Sequence, residues 1–223
     1  MKRRMSPLLL ALFLCSSLLF GEQFLHVESG YAETLTDTQP VFGSVRYQNG
    51  IWEAGYALRY PVQDLTGRVT LPLYRNGYFR QTLHANTRNY QGWNLDAETT
   101  LGQDLTTKNG RFHFFYGAGL QLSWYAHTQM TSILHSQTFA FHLTAEYRFW
   151  EDRAGISLSY DSSAFFWYNY YLYTPIITLA GNVALRDDLL LTFSARCRNS
   201  DFWKENRAIT MVEFKAGCLW RLP

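Results

Sequence analysis

The chain has 223 residues and a formal net charge of +2, and it is 47% hydrophobic, 17% charged and 17% aromatic. Its length suits a single domain, and its mean hydropathy of −0.20 excludes a bundle of transmembrane helices, which needs repeated apolar runs of about 18 residues. The 7 Trp, 15 Tyr and 16 Phe exclude a disordered chain, because such chains are poor in aromatic residues.

Residues 1–21 have the composition of an export signal. A basic cluster near the N-terminus precedes an apolar segment, 7–20, which is too short for a helix that stays anchored in a membrane. We expect cleavage after Gly21, with Ala32 as the alternative, and one domain over 22–223. Three of the 20 basic residues and none of the 18 acidic ones lie in the signal, so the mature chain has no basic excess and no expected nucleic-acid partner.

Beyond the signal, apolar side chains recur at every second position. Segment 111–126 is the clearest, since Phe112, Phe114 and Tyr116 alternate with His113 and with small or polar residues. A period of two predicts β-strands with one apolar and one polar face, and several exceed the five or six residues that are common in soluble sheets. The predicted strands are 23–32, 41–48, 51–60, 67–74, 78–88, 93–105, 111–126, 137–149, 153–163, 174–186, 190–198 and 208–222.

The strongest turn signal is Asn49-Gly50, because both residues tolerate the positive φ of a type I′ hairpin turn. A two-residue turn there predicts that Arg46 faces Glu53 on the polar side, while apolar residues pair on the other side. Opposite charges and apolar pairs then align on separate faces, which favours this register.

A second hairpin turn is predicted at Glu151-Asp152. It places His142 opposite Asp161 on the polar face and extends the apolar face on the other side. A turn of four or five residues at 106–110 closes another hairpin.

Two further turns carry weaker signals. A three-residue turn at 187–189 predicts that Leu185 lies opposite Leu191 on the apolar face. Asn76-Gly77 is the weakest, because the flanking segments alternate poorly. If these segments only extend a loop, the count falls from twelve strands to ten, and eight strands also stay open.

The predicted connections fall into two groups. Those after even-numbered strands are tight turns, and those after odd-numbered strands are longer and polar or aromatic. The longer ones include Ala32–Pro40, His127–Ser136, Ala164–Tyr173 and Asn199–Arg207. An even number of antiparallel strands with this asymmetry resembles the Gram-negative outer-membrane β-barrel class.

The resemblance implies an all-β fold, an antiparallel up-and-down transmembrane β-barrel over the whole mature chain. Such a sheet closes because lipid offers no hydrogen-bond partner to an open edge. The resemblance also implies export to the cell outer membrane, with both termini periplasmic and the long loops extracellular. The implied partners are outer-membrane lipid, the barrel-assembly machinery and, for a channel, small solutes.

Aromatic residues concentrate near the predicted strand ends, as in the two girdles of membrane barrels. Phe165, Phe166, Trp167 and Tyr168 are interpreted as outer girdle plus a short loop, and the alternative is a surface that stacks on sugars or a partner. A soluble β-sandwich with an aromatic core is the competing fold, which the long strands disfavour.

The polar face predicts an interior of nearly balanced charge. Barrels of eight strands are filled by their own side chains and barrels of sixteen leave an open channel, so twelve strands lie between these limits. We therefore predict a small, porin-like diffusion channel of weak charge selectivity, and the alternative is a non-conducting barrel with a structural or surface-interaction role. The predicted lumen-lining residues are Arg46, Glu53, Arg59, Asp96, Glu98, His113, His142, Glu146, Arg148, Asp161, Arg186, Arg196, Arg198, Glu213 and Lys215.

His142, Asp161 and Ser159 share one face of a predicted hairpin, which raises the hypothesis of a lipid-modifying hydrolase. Because Ser159 pairs with Thr144 and not with His142, we interpret the trio as a hydrogen-bond cluster and assign no catalytic residue. The six histidines lack ligand spacing, so no metal and no other cofactor are expected. A secreted, soluble ligand-binding barrel is the remaining alternative.

Two cysteines lie in the mature chain, and an exported protein would ordinarily join them. The predicted strands place Cys197 and Cys218 roughly 33 Å apart at the rise of a β-strand. A disulfide needs Cα atoms within about 7 Å. The sequence therefore predicts two free thiols on the lipid face.

Overall fold

The described residues form a closed, all-β barrel. The computed structural model describes residues 22–34, 38–59, 62–88, 92–128, 132–162, 176–200 and 208–223. Within these ranges, twelve antiparallel strands each pair with their neighbours in the chain, and β1 pairs with β12. The strands are β1 (Gln23–Thr34), β2 (Thr38–Asn49), β3 (Trp52–Arg59), β4 (Val62–Pro72), β5 (Gly77–Arg88), β6 (Gly92–Thr106), β7 (Phe112–His127), β8 (Leu134–Phe149), β9 (Ala154–Asp161), β10 (Ile176–Arg186), β11 (Leu189–Ser200) and β12 (Ala208–Leu222).

This architecture confirms the predicted up-and-down barrel and its twelve strands. The doubtful segments around Asn76-Gly77 are strands β4 and β5, joined by a short 3₁₀ turn, Tyr74–Asn76. No helix among the described ranges is long and apolar enough to cross a bilayer. The predicted signal, 1–21, and the aromatic run 165–168 lie outside the described residues.

Pairing between the first and last strands closes the sheet. The register runs from Gln23 opposite Leu222 to Thr34 opposite Met211. Closure gives every strand two hydrogen-bonded neighbours and so removes the exposed edges that would otherwise recruit another chain.

The hairpin at Asn49-Gly50 has a different turn from the predicted one. Gly50 and Ile51 form the turn and Asn49 pairs with Trp52, so the register is shifted by two residues. Gly50 has a φ of 53° while Ile51 is not in the positive region, which fits a type II′ turn with glycine first. A shift of two keeps each side chain on its face.

The prediction for the β10–β11 turn was also wrong by two residues. A bulge between Ala184 and Arg186 leaves a two-residue turn at 187–188, and Leu191 pairs with Val183. An extra bulge residue changes the partner but keeps the apolar residues on one side.

The turn predicted at Asn76-Gly77 lies instead at 73–76, and Gly77 begins β5, while the β8–β9 register is as predicted. His142 lies opposite Asp161, as predicted, although the turn is a four-residue loop, 150–153, and not Glu151-Asp152 alone. The β6–β7 hairpin closes through 107–111, close to the predicted turn.

The predicted asymmetry between the two ends of the barrel is present only in part. Strands β1 and β2 extend to Thr34 and from Thr38, so the connection is shorter than Ala32–Pro40. Strand β4 begins at Val62, five residues earlier than predicted, because Asp64 and its polar neighbours belong to a polar inner face and not to a loop. Longer connections follow β7, β9 and β11. We call the rim of the barrel that carries these longer connections the loop end, and the opposite rim the turn end.

The outer face of the barrel is apolar. Large apolar side chains remain exposed along every long strand, with Phe139, Phe141 and Leu158 at 68%, 54% and 55% exposure. A continuous apolar belt of this kind is incompatible with a water-facing surface and is the signature of a lipid-facing one.

The cysteine prediction is confirmed, although the distance was overestimated. Cys197 and Cys218 are free thiols. Cys197 pairs with Val212, so Cys218 lies six residues further along β12, or about 20 Å at strand rise. Both are on the apolar face, too far apart to join.

Candidate functional site

Some side chains reach across an intervening strand, which is possible only on the concave side of a closed sheet. The Tyr78 ring on β5 stacks on Phe115 of β7 with ring centroids 4.5 Å apart. It lies over Gly102 of β6, where an added β-carbon would collide with the ring. The missing side chain at Gly102 therefore makes room for the aromatic stack.

A second contact has the same construction. The Lys215 ammonium on β12 lies 5.4 Å from the ring centroid of Phe42 on β2, and both residues pair with Gly30 of β1. A β-carbon on Gly30 would lie 2.8 Å from the Phe42 ring. His26 of β1 likewise bonds Thr192 of β11 at 2.9 Å. These contacts identify the polar face as the lumen.

Substituting Gly102 by alanine is expected to lower the free energy of unfolding by roughly 1–3 kcal/mol, because the new methyl group would collide with both the Tyr116 carbonyl oxygen and the Tyr78 ring. Urea unfolding in detergent measures the change. Gly67→Ala is the matched control, since a β-carbon at Gly67 meets no atom within 4 Å. Equal stability of the two variants would contradict the packing of Tyr78 over Gly102.

The lumen contains a buried polar cluster centred on Asp96. This carboxylate is 1% exposed and accepts hydrogen bonds from Ser123 at 2.5 Å, Asn94 at 2.6 Å and Gln121 at 3.3 Å. The His84 ring lies 3.5 Å away through Nδ1. Strands β5, β6 and β7 are thus joined by side chains as well as by their backbones.

A second cluster lies around His142. Its Nε2 is 2.6 Å from Glu98 and its Nδ1 is 3.4 Å from Asp161. The Ser159 hydroxyl instead accepts a hydrogen bond from Thr144 at 2.9 Å. Both imidazole nitrogens therefore face carboxylates, and the arrangement lacks the histidine–serine hydrogen bond that activates a nucleophile.

A third cluster lies on β11 and β12. Glu213 is fully buried and lies 3.3 Å from Arg196 and 2.9 Å from Lys215. On the neighbouring β2–β4 wall, Glu53 lies 3.4 Å from Arg46 and 3.2 Å from Arg68. A carboxylate placed between two cations satisfies the requirement that buried charges be paired.

Arg46 and Glu53 were predicted to lie directly opposite each other. After the two-residue register shift they are still in contact, but as diagonal neighbours. Arg186 lies on the turn rim, 64% exposed, and pairs with Asp188 at 3.1 Å. His113 bonds Thr106 and the Gly110 carbonyl beside the β6–β7 turn.

The structure places the remaining predicted residues as follows. Arg59 and Arg198 lie in strands, but their side chains are outside the described set. On the inner face lie Arg46, Glu53, Asp96, Glu98, His142, Glu146, Arg148, Asp161, Arg196, Glu213 and Lys215.

Sequence reasoning missed several inner residues, most of them on β4 and β5. Alternation of polar residues with Leu65, Val69 and Leu83 was the available signal, but the late start predicted for β4 and the weak turn at Asn76-Gly77 hid it. The missed charged or titratable residues are His26, Glu28, Asp64, Arg68, Arg80, His84 and Asp104. Among the described residues, no three His, Cys, Asp or Glu side chains come together as a metal site.

Near the turn end, the inner face of β2–β7 lines a partly open chamber of about 650 Å³. Its wall includes Arg68, Arg80 and Asp104 together with the stacked rings of Tyr78 and Phe115. Chambers of this volume, lined by rings and a few polar groups, accommodate small molecules.

Comparison with known proteins agrees with this architecture. No family model and no curated protein matches the chain. Among solved structures, the NanC porin has a TM-score of 0.56 at 13% identity, over 89% of this chain and 100% of that chain. The translocator domain of the autotransporter NalP from Neisseria meningitidis has a TM-score of 0.55 at 9% identity, over 94% and 92%. The KdgM porin, solved with disordered oligogalacturonate, has a TM-score of 0.52 at 6% identity, over 90% and 99%.

The closed sheet, the apolar outer belt and the charged inner face define a β-barrel of the outer-membrane type. At these identities the similarity concerns the fold, which porins share with an autotransporter translocator domain. The fold therefore sets the class, and the lumen must supply the argument for function.

Proposed function

We propose that the protein is a small diffusion channel of weak charge selectivity in the outer membrane. The observation that carries the proposal is solvent access to charges that point inward. The side chains of Arg46, Arg148 and Asp161 are 45%, 43% and 41% exposed although they face the lumen. Together with the chamber near the turn end, they indicate water-filled space at both ends of the lumen, beside the buried clusters at Asp96 and Glu213.

Weak selectivity follows from the arrangement of the charges. Among the described residues, inner-face carboxylates other than Asp104 lie beside basic side chains, as Glu213 does between Arg196 and Lys215. A solute therefore meets alternating fields of both signs and no extended field of one sign. Such a lumen discriminates by size and hydration more than by net charge.

Residues 1–21 would direct export and be removed, and the barrel-assembly machinery would insert the mature chain. With β1 entering from the periplasm, both termini would be periplasmic and the loop end would face outside the cell. The lipid-facing belt of Phe139, Phe141 and Leu158 supports membrane insertion.

Refolded protein in planar bilayers is expected to give discrete channel openings, with a reversal potential near zero in a potassium chloride gradient. Arg148→Glu should shift the reversal potential in the direction of cation selectivity, because Arg148 lies at a solvated part of the lumen wall. Arg153→Glu, the same charge change in an exposed turn, should shift it less.

Two results would contradict the proposal. If no openings occur while heat-modifiable gel mobility shows a folded barrel, the protein is a non-conducting barrel with a structural or surface-interaction role. Equal shifts for Arg148→Glu and Arg153→Glu would mean that ions do not pass the wall at Arg148.

A further inference from the structure

Arg80 differs from the other cations of the lumen. The inward-facing Arg46, Arg68, Arg196 and Lys215 each lie within 4 Å of a carboxylate oxygen. Among the described residues, Arg80 has no ion-pair partner and no hydrogen-bond acceptor. Its guanidinium lies against two aromatic rings.

The guanidinium of Arg80 is held in place by aromatic packing. Its central carbon lies 4.7 Å from the centroid of Phe115 and 5.0 Å from that of Tyr78. These two rings stack on one another, and the Tyr78 hydroxyl donates to the Tyr116 carbonyl at 3.2 Å. A guanidinium fixed against rings keeps its five N–H donors in one plane and loses little entropy when it binds an anion.

The chamber wall has an excess of unused donors. Nε of Arg80 and Nε of Arg68 are buried without a hydrogen-bond partner, and both residues lie on the inner face and line the chamber. No acceptor atom on a chamber-lining side chain is buried and unpartnered among the described residues. The protein does not satisfy all donors of these two guanidinium groups, so this wall is complementary to a ligand that brings acceptors.

Nearby carboxylates other than Asp104 are paired with other side chains, so the Arg80 guanidinium is available to bind an anion. Arg68 lies on the adjacent strand, diagonal to Arg80 in the register, and adds positive charge to the same wall. Glu53 contacts Arg46 and Arg68, and Glu98 contacts His142. Asp104 is the remaining carboxylate of the chamber wall, and it is exposed without an ion pair in the described structure.

We propose that this chamber is a binding subsite for a small solute that carries a carboxylate or phosphate group, with Arg80 as the residue that contacts the anion. A guanidinium engages either group through two parallel hydrogen bonds. The stacked rings leave an apolar surface beside the anion for the rest of the solute. The subsite rests on the proposed channel only for its place along a solute path, since binding itself needs no conduction.

Equilibrium binding to the folded full-length barrel in detergent tests the subsite. Calorimetric titration at low ionic strength with succinate and, separately, with inorganic phosphate should give saturable binding in the millimolar range for at least one of them. The stronger of the two identifies the preferred group. Arg80→Gln should weaken binding at least tenfold. Arg80→Lys keeps the charge but loses the planar guanidinium, so its affinity should lie between those of the wild type and Arg80→Gln.

Two further variants separate the subsite from general electrostatics. Asp104→Asn should tighten binding, because it removes a carboxylate of the chamber wall that has no ion pair in the described structure and repels the anion. Arg153→Gln, a neutralisation of equal size in an exposed turn, should leave binding unchanged. Gel mobility shows whether Arg80→Gln folds. If it does not, the test is the comparison of Arg80→Lys, which should weaken binding, with Asp104→Asn, which should strengthen it.

Absence of saturable binding to both probes would overturn the subsite, as would equal binding by the wild type, Arg80→Gln and Arg80→Lys. Because the titration does not depend on ion flow, binding without channel openings would reject the channel and keep the subsite. Channel openings without binding would reject the subsite and keep the channel.

Discussion

Replacing Asp96 by alanine is expected to lower the free energy of unfolding by about 3–5 kcal/mol, the cost of removing one partner from a buried charged network. Asp96 is almost fully buried and holds Asn94, Gln121 and Ser123 through hydrogen bonds, with His84 at its edge. Alanine would leave these donors unsatisfied across three strands. Urea titration of the refolded barrel, extrapolated linearly to zero denaturant, measures the loss.

Two variants control this measurement. Asp188→Ala removes a carboxylate whose partner, Arg186, is exposed on the turn rim, and should change stability by no more than about 1 kcal/mol. Asp96→Asn keeps the shape and one acceptor, so its loss should be smaller than that of Asp96→Ala. A cost at Asp96 as small as that at Asp188 would show that the cluster is not buried in the folded protein.

Placing arginine at Phe141 is expected to destabilise the barrel in phospholipid vesicles by about 2–4 kcal/mol, the cost of a cation on the lipid face near the bilayer midplane. Phe141 lies in the middle of β8 and is 54% exposed on the apolar face. Its charge would have to reach the interface along the strand or thin the bilayer around it.

Phe149→Arg is the matched control, because Phe149 ends β8 beside the turn and faces the same side. The same substitution near the interface should cost only about 0–1 kcal/mol. Unfolding in vesicles by urea, followed by tryptophan fluorescence, compares the two. Equal costs at both depths would be inconsistent with a bilayer around this belt.

Much of the fold could be predicted from the sequence because period-two alternation is local. It assigned Phe141 to the outer face and Asp96 to the inner face without any knowledge of pairing. Two of the misplaced turns show why this works: a shift of two residues at Gly50, or a bulge before Arg186, changes partners but not faces.

Contacts between side chains were harder to predict from the sequence than the faces of the strands. Within one hairpin the sequence predicted His142 opposite Asp161, since a turn fixes that register. It could not predict Glu98 as the closer partner of His142, because that contact crosses β7 and depends on the curvature of the closed sheet. Contacts of this kind exist only once the strands surround a common interior.

The sequence by itself determined the strand order, the two faces and the free cysteines, because each follows from alternation along the chain and the geometry of neighbouring strands. Only the tertiary structure decided which charges are neutralised and which cation is left over. Closure brings Phe115 over Gly102 to Tyr78 and directs Arg80 onto their rings, away from the carboxylates that pair with Arg46 and Arg68. Curvature sets those distances, and no pattern along one strand contains it.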